Sequence, residues 1–596
     1  MSFSWTEKDL NFEQSNAVLE PISSLVIACP GSGKTKTLTR KIAYELSRLT
    51  SSRQFIVAIT YTHRAADEIH ERIEDLGVDT SQLWIGTIHS FCLEWIIKPY
   101  AIYQPELSKG FKVIDLHDKE KLLEELCKPY SSQRVTFWDC EYYFGPTGYS
   151  LGCSDTSKHP AIHKVLTEYF NRLSANRQID FELILWLSLK LIESLPRISK
   201  LLSKLFPLIL VDEYQDTKEI QYNIIASILR TGQESSRLFM VGDPNQAIYT
   251  SLGGYPIAIQ DLAKLTTLTI KTLSLSANYR SSKRVIDYFG NFSVNNSIIT
   301  AEGEYRDYAS RITYNDQINR DQLINEIAKV VRYSVETLGI SPKEICILAP
   351  QWVHLAVMTR GLIAQMPDYH FDGPGIVPIA RDIDNFWYKL SRIALTEPSP
   401  QLFIRRMRWA REVLHDLADA GVDASRLDPR QLLRQCNSLS IQENDGLTYL
   451  KVFFDNLFSA LNIPFHMFDS LEQQYQAFIA SAESRIERIL KEGVNQIRDL
   501  SFFKKAFTGR SGITVSTIHG VKGSEFDIVI AYALLEGMVP HFNDQLGDIS
   551  ASRLLYVVGS RARKNLHLFS ETGRSRGKYG DYLPTKKLKS CNFTYD

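Results

Sequence analysis

The stretch Leu25-Val26-Ile27-Ala28-Cys29-Pro30-Gly31-Ser32-Gly33-Lys34-Thr35 decides the fold. Three aliphatic residues predict a short buried strand. Leu38, Ile42 and Leu46 behind it recur at helical spacing, so the glycines fall on a strand-to-helix turn. Backbone N–H groups at such a turn, with the helix N-terminus behind them, attract phosphate. Lys34 can reach β- and γ-phosphates, and the Thr35 hydroxyl suits Mg²⁺. Ala28 opens the loop where glycine is commoner, and a small residue suffices there.

A parallel α/β architecture extends outward from this turn. Phe55–Thr60, Trp84–Thr87, Phe206–Val211 and Leu238–Gly242 are further apolar runs ending in polar residues. Val211 leads into Asp212 and Glu213. Asp212 can hold Mg²⁺ through its water shell, and Glu213 can orient or deprotonate a water. Tandem acids after an apolar run also occur as plain helix caps. Gln246, at the end of Leu238–Gln246, can contact a γ-phosphate. Tyr279 can stack on a base and Arg280 can pair with phosphate. Gln14, just upstream of the loop, offers one donor and one acceptor to an adenine edge, though surface glutamines are common. Tyr61-Thr62-His63-Arg64 suits either a nucleic-acid strand or a helix cap and solvated first turn. Arg561, in Tyr556–Arg563, can reach a nucleotide or serve in a surface ion pair.

At 596 residues the chain accommodates several domains, and its 44% hydrophobic and 23% charged content is ordinary for a globular protein. The net charge is zero, with 68 basic and 68 acidic residues, so any nucleic-acid groove must be local. No apolar run is long enough to span a bilayer, and Met1-Ser2-Phe3-Ser4-Trp5 does not resemble an export signal, which suits the cytoplasm. Eight cysteines without a Cys-x-x-Cys pair predict free thiols rather than a metal cluster. Residues 93–170 break the periodicity and hold a Gly145-Pro146-Thr147-Gly148 turn, which predicts an inserted subdomain. Gly373-Pro374-Gly375 marks a boundary before a mostly helical stretch to about residue 501. There Leu471, Tyr475, Phe478, Ala482, Ile486 and Ile489 form a core stripe, and Arg405, Arg406, Arg408 and Arg411 are expected on a solvated helix face.

Together these blocks resemble the UvrD/Rep/PcrA-type superfamily-one DNA helicases, in that family's order from Gln14 to Arg561. The resemblance implies two RecA-like P-loop domains, each with an inserted, mostly helical subdomain: 1–92 and 171–275 around an insertion at 93–170, then 276–379 and 502–596 around one at 380–501. It implies ATP and Mg²⁺ as ligands, with 3′-to-5′ movement on single-stranded or tailed DNA. By position, Lys34, Asp212, Glu213, Gln246, Arg280 and Arg561 are catalytic. Gln14, Ala28, Cys29, Pro30, Gly31, Ser32, Gly33, Lys34, Thr35, Lys36, Tyr279 and Glu525 bind the nucleotide, and Thr35 and Asp212 the metal. Tyr61, Thr62, His63, Thr87, His89, Tyr249 and His519 line the DNA path. The chain departs from the family where Arg-Trp-Arg-Gly is usual and Thr250-Ser251-Leu252-Gly253 stands. It also has Lys36 for Arg, Ser550-Ala551-Ser552 before Arg553, and Ser560 for Thr. The Asp243-Pro244-Asn245-Gln246 form and the compact, nuclease-free chain are similar to the helicase-like subunit of the Gabija anti-phage system, which partners a separate nuclease. A stand-alone repair helicase and a nucleotide-sensing regulatory subunit are the alternatives.

Overall fold

The computed structural model describes residues 4–596 except 115, 233–234, 251–252, 374–376, 381, 383–384, 426, 492–494, 508–511 and 578–579. Ser251, Leu252, Pro374 and Gly375 therefore lie outside the described residues. The chain forms two compact units, Met1–Ile318 with Val521–Asp596, and Asn319–Gly520.

The first unit is built on a parallel sheet of β1 (Ser24–Ala28), β2 (Ile56–Thr60), β3 (Leu83–Thr87), β4 (Leu208–Asp212), β5 (Arg237–Gly242) and β6 (Lys271–Leu275), in the order β6-β1-β5-β4-β2-β3. β2 and β4 are buried along their whole length. Continuous aliphatic runs are what a parallel sheet covered on both faces requires. Alternate residues separate into two cores. Leu208 and Leu210 face a cluster with Leu38 and Ile42 of α2 (Lys34–Leu46) and Ile69 and Ile73 of α3 (His63–Glu74). Ile209 and Val211 face a second cluster shared with Ile96, Leu123, Phe144, Leu166 and Tyr169. Residues 93–170 thus bury their apolar side chains in the same core as one sheet face.

A regular helix, His159–Ala175, begins inside that stretch and buries Ile162, Val165, Leu166, Tyr169 and Leu173. Periodicity looked broken there because an aromatic hairpin, Tyr142–Phe144 with Tyr149–Leu151, precedes it. Strand pairing aligns Ala28 with Leu275 and Asp212 with Val241, so the carboxyl ends of β1, β4, β5 and β6 share one edge. Ligands of open α/β sheets bind at that edge. The first unit also pairs Ile312–Asn315 and Phe526–Ala531, both parallel, with Ala562–Phe569.

In the second unit, Ile345–Ala349 and Phe371–Asp372 run parallel to Ile513–Thr517. Its helices surround Trp387, which is fully buried. The expected stripe holds: Asp469–Lys491 is one helix, with Leu471, Phe478, Ala482, Ile486 and Ile489 buried. The arginine cluster departs from expectation. Arg406 and Arg408 on the helix Phe403–Asp419 are buried, not solvated, because Arg406 shares a stripe with Trp409, Ala410, Val413 and Leu417. No helix among the described residues is long and apolar enough to cross a membrane.

Candidate active site

Every contact in this site lies within the first unit. The turn after β1 is shaped by two glycines with left-handed backbones, Gly31 at φ +70° and Gly33 at φ +78°. A Cβ on Gly31 would meet Arg280 Cβ at 2.6 Å, and one on Gly33 would meet Gln14 Nε2 at 2.7 Å. The loop carbonyls are held by groups distant in sequence. Asn278 Nδ2 donates to Pro30 O at 2.7 Å, Tyr279 N to Gly31 O at 2.9 Å and Gln14 Nε2 to Ser32 O at 2.8 Å. Ser32 Oγ donates to Cys29 O at 2.8 Å. No side chain caps the N-terminus of α2, and the first N–H groups of a helix have no intrahelical partner. The arrangement is therefore a set of donors suited to an anion. Burial pushes the Cys29 thiol up to about 12, so it stays protonated and serves as a small wall.

Gln14 is buried and has both amide atoms in use. Its Oε1 accepts from Asn11 N at 3.0 Å while Nε2 braces the loop. The exposed Tyr279 hydroxyl accepts from Asn11 Nδ2 at 2.7 Å, so one short helix start touches both residues expected around an adenine. Thr35 and Lys36, both half-buried, open α2.

β4 delivers Asp212 to the same edge, and Glu213 follows at φ +51°. A non-glycine residue in that region costs about 1–3 kcal/mol and persists where the surroundings fix it. Here they do. Lys34 Nζ lies 3.6 Å from Glu213 Oε1, and Gln215 Nε2 donates to Glu213 Oε2. Gln215 Oε1 in turn accepts from Asp243 N at 3.0 Å. A Cβ on Gly242 would collide with Gln215 Oε1, so the glycine makes room for this brace. The two acids titrate apart. Burial, then the neighbouring Glu213 charge, raises Asp212. Burial opposes ionisation of Glu213 as well, but Lys34, Lys522 and Arg561 together hold it below the usual range.

Thr35 and Asp212 are hard oxygen donors of the kind Mg²⁺ takes, and the elevated pKa of Asp212 marks a buried carboxylate short of positive charge. Among the described residues no three His, Cys, Asp or Glu side chains cluster into an all-protein metal cage.

A second polar layer closes the site. Gln246 Nε2 donates to Asp243 Oδ2 at 2.8 Å, and Arg561 Nη2 donates to Gln246 Oε1 at 2.7 Å. Arg561 is buried, and burial followed by the nearby Arg280 lowers its pKa to about 9. Arg280 Nε pairs with Glu525, and its Nη1 donates to Ser560 O at 2.9 Å. Glu525 also lies 3.5 Å from Arg563. Lys34, Glu213, Gln246, Arg280, Arg561 and Glu525 thus belong to one region of one compact unit.

The residues expected along a DNA strand divide. Tyr61 and Tyr249 stack, with centroids 5.0 Å apart and planes 27° apart, and Lys522 Nζ lies 5.3 Å from the Tyr249 ring centre. Tyr61, Thr87 and His89 line a cavity of about 50 Å³ that also reaches Asp212. His89 packs edge-on against Phe181 and is pushed down to about 4 by burial, so it is neutral at pH 7. Thr62 and Thr87 cap helices by accepting from Ala65 N and Ser90 N, and His63 is the first residue of α3. His519 belongs to the second unit, just beyond the strand Ile513–Thr517.

Sequence reasoning gave no role to Gln215, Asn278 or Lys522. Lys522 Nζ pairs with the buried Asp216 and donates to Gln246 O at 2.7 Å. Asn278 braces Pro30 and accepts from Arg280 N and Ser281 N, each at 2.8 Å. For Gln215 the signal was Gly242, a glycine ending a strand where only a small residue admits a neighbour.

Comparison with known proteins fits this geometry. Residues 10–266 match the UvrD/REP helicase N-terminal domain, and residues 466–572 match the UvrD-like helicase C-terminal domain. The chain is 25% identical to the ATP-dependent DNA helicase Rep of Buchnera aphidicola subsp. Acyrthosiphon pisum, over 97% of each chain. It is 24% identical to the ATP-dependent DNA helicase PcrA of Staphylococcus epidermidis, over 98% of this chain and 86% of that one. The identity to Staphylococcus aureus PcrA is 25%, over 97% and 86%.

Proposed function

The chain belongs to the UvrD/Rep/PcrA helicase family, and on that premise we propose that it hydrolyses ATP on single-stranded DNA and moves 3′ to 5′ along it. The observation that carries the proposal is the line from Lys34 through Glu213 to Gln215 and Asp243, and from Gln246 to Arg561, inside one unit. Lys34 and the amides at the start of α2 hold the β- and γ-phosphates. Thr35 and Asp212 hold Mg²⁺, which supplies charge neutralisation on the phosphates when bound. Glu213, ionised at pH 7, orients the attacking water. Gln246 reports the γ-phosphate, and Arg561 and Arg280 stabilise its developing charge. An arginine so placed is worth about 10³–10⁵ in rate. Gln14 and Tyr279 flank the adenine and Glu525 meets the ribose. Tyr61, Thr62, His63, Thr87, His89 and Tyr249 contact the strand.

In this reading 1–92 with 171–275 and 276–379 with 502–596 are RecA-like domains carrying insertions at 93–170 and 380–501, working in the cytoplasm. A second reading, in which the motor is a subunit that gates a partner nuclease in anti-phage defence, is favoured by one observation. Thr250 and Gly253 flank the place where the family stacks a Trp on DNA, and the chain has none there. The test compares duplexes with 3′ and 5′ tails at fixed salt, since phosphate contacts make binding salt-dependent. Opening of the 3′-tailed duplex alone is expected. Opening of the 5′-tailed duplex alone overturns the direction, and hydrolysis without opening of either favours the gating subunit.

A further inference from the structure

The helical part of the second unit holds a cavity of about 310 Å³ lined by Arg406, Arg430, Arg434, Ser399, Asn437 and Phe403, with no carboxylate among the described residues of its lining. That volume falls at the lower end of small-molecule sites. Arg406 forms the floor. It is 3% exposed, its Nη1 donates to Thr396 O, and its Nη2 donates to Asn437 Oδ1 at 2.6 Å. Neither partner is charged. A guanidinium buried without a counter-ion is costly, and folded chains rarely leave one so. Burial presses its pKa down, as expected where no anion compensates the charge.

Arg430 and Arg434 stand one turn apart on the helix Pro429–Ser438, both exposed, and neither forms an ion pair among the described residues. Like charges at that spacing repel along a helix. Three guanidinium groups therefore surround one cavity, and among the described residues no carboxylate lines it. Beside them Phe403 is 50% exposed, which adds a flat apolar surface.

We propose that this cavity is a binding site for a phosphorylated ligand, its phosphate taken by Arg406, Arg430 and Arg434 and its ring resting on Phe403. Guanidinium forks match phosphate oxygens in pairs, and an exposed aromatic ring stacks on a base. A nucleoside phosphate combines both features, either as a free nucleotide or as one unit of a nucleic-acid strand. The site stands on residues outside the nucleotide machinery described above and does not depend on its assignment.

The test uses the full chain with Lys34→Ala, which weakens the phosphate loop, and adds Arg430→Gln with Arg434→Gln. Both replaced side chains are exposed, so folding is preserved, and a thermal melt verifies this. Binding is titrated with pyrophosphate, with a deoxynucleoside monophosphate and with a fluorescent oligodeoxythymidine. The double change is expected to weaken binding about tenfold or more, the equivalent of about 1.4 kcal/mol. Weakening in the pyrophosphate and mononucleotide arms supports a free ligand. Weakening in the oligonucleotide arm alone supports a strand. Unchanged binding in all three arms overturns the site. Arg406→Lys, which keeps the charge but not the fork, is expected to weaken the same arms, and no change there would also count against it.

Discussion

Lys522→Met puts the buried pair between Lys522 and Asp216 to a quantitative test. Asp216 is 2% exposed and its ordinary value of 3.8 is raised to about 6, by burial first and despite the attraction of Lys522. A carboxyl raised by folding favours the folded state while it is protonated. That contribution is complete below about pH 4 and is lost as pH rises through about 6, so holding Asp216 ionised at neutral pH already costs stability. Removing Lys522 takes away the main opposing charge and the hydrogen bond to Gln246 O. Stranding one partner of a buried pair costs about 3–5 kcal/mol. The raised Asp216 then titrates higher still, so the loss grows with pH. Thermal melting at about pH 5.5 and about pH 8 is the assay. Lys522→Met is expected to lower the melting temperature more at the higher pH. Asp216→Asn combined with Lys522→Met is expected to recover most of the difference, because two neutral groups remain. A loss equal at both pH values, or no recovery in the double variant, refutes the reasoning.

Other outcomes follow from the same contacts. Lys34→Ala is expected to lower ATP turnover by at least about 10²–10³, as loss of a placed charge does, and undiminished steady-state turnover would remove the phosphate-loop assignment. Gly242→Ala forces Gln215 off Glu213 and is expected to destabilise by about 1–3 kcal/mol. Adding Gln215→Ala should recover part of the loss, the remainder staying with Tyr214, whose Cδ1 would lie 2.7 Å from the new Cβ, and a melt showing no recovery at all would mean the brace is misplaced. Tyr249→Ala is expected to weaken single-stranded DNA binding by about 1–3 kcal/mol, read by anisotropy at fixed salt, because it removes half of the Tyr61–Tyr249 stack.

The parts of the site written in neighbouring residues are legible in the sequence. The phosphate loop, the acids after β4 and the strand positions are local patterns, and each expected strand of the first sheet formed within a residue or two of its reading. Braces between distant residues were not legible. Asn278 reaches Pro30 across 248 positions, and Lys522 reaches Asp216 across 306. Nothing in the sequence near Pro30 or Asp216 announces the partner. Arg406 was legible in part: its spacing to Ala410, Val413 and Leu417 puts it on the buried stripe. Four arginines close together suggest water instead, and the apolar period that buries Arg406 is the weaker local signal. The contacts of Gln14 were not legible either: beside the adenine-facing place its position suggests, both ends of its amide also cap α1 (Phe12–Leu19) and hold the loop.

Steady-state ATP hydrolysis by the full chain, with and without single-stranded DNA and with Glu213→Gln alongside, tests the central claim most directly. DNA is expected to stimulate hydrolysis, and Glu213→Gln to silence it while the protein still binds ATP. Hydrolysis indifferent to DNA, or undiminished after Glu213→Gln, would contradict it.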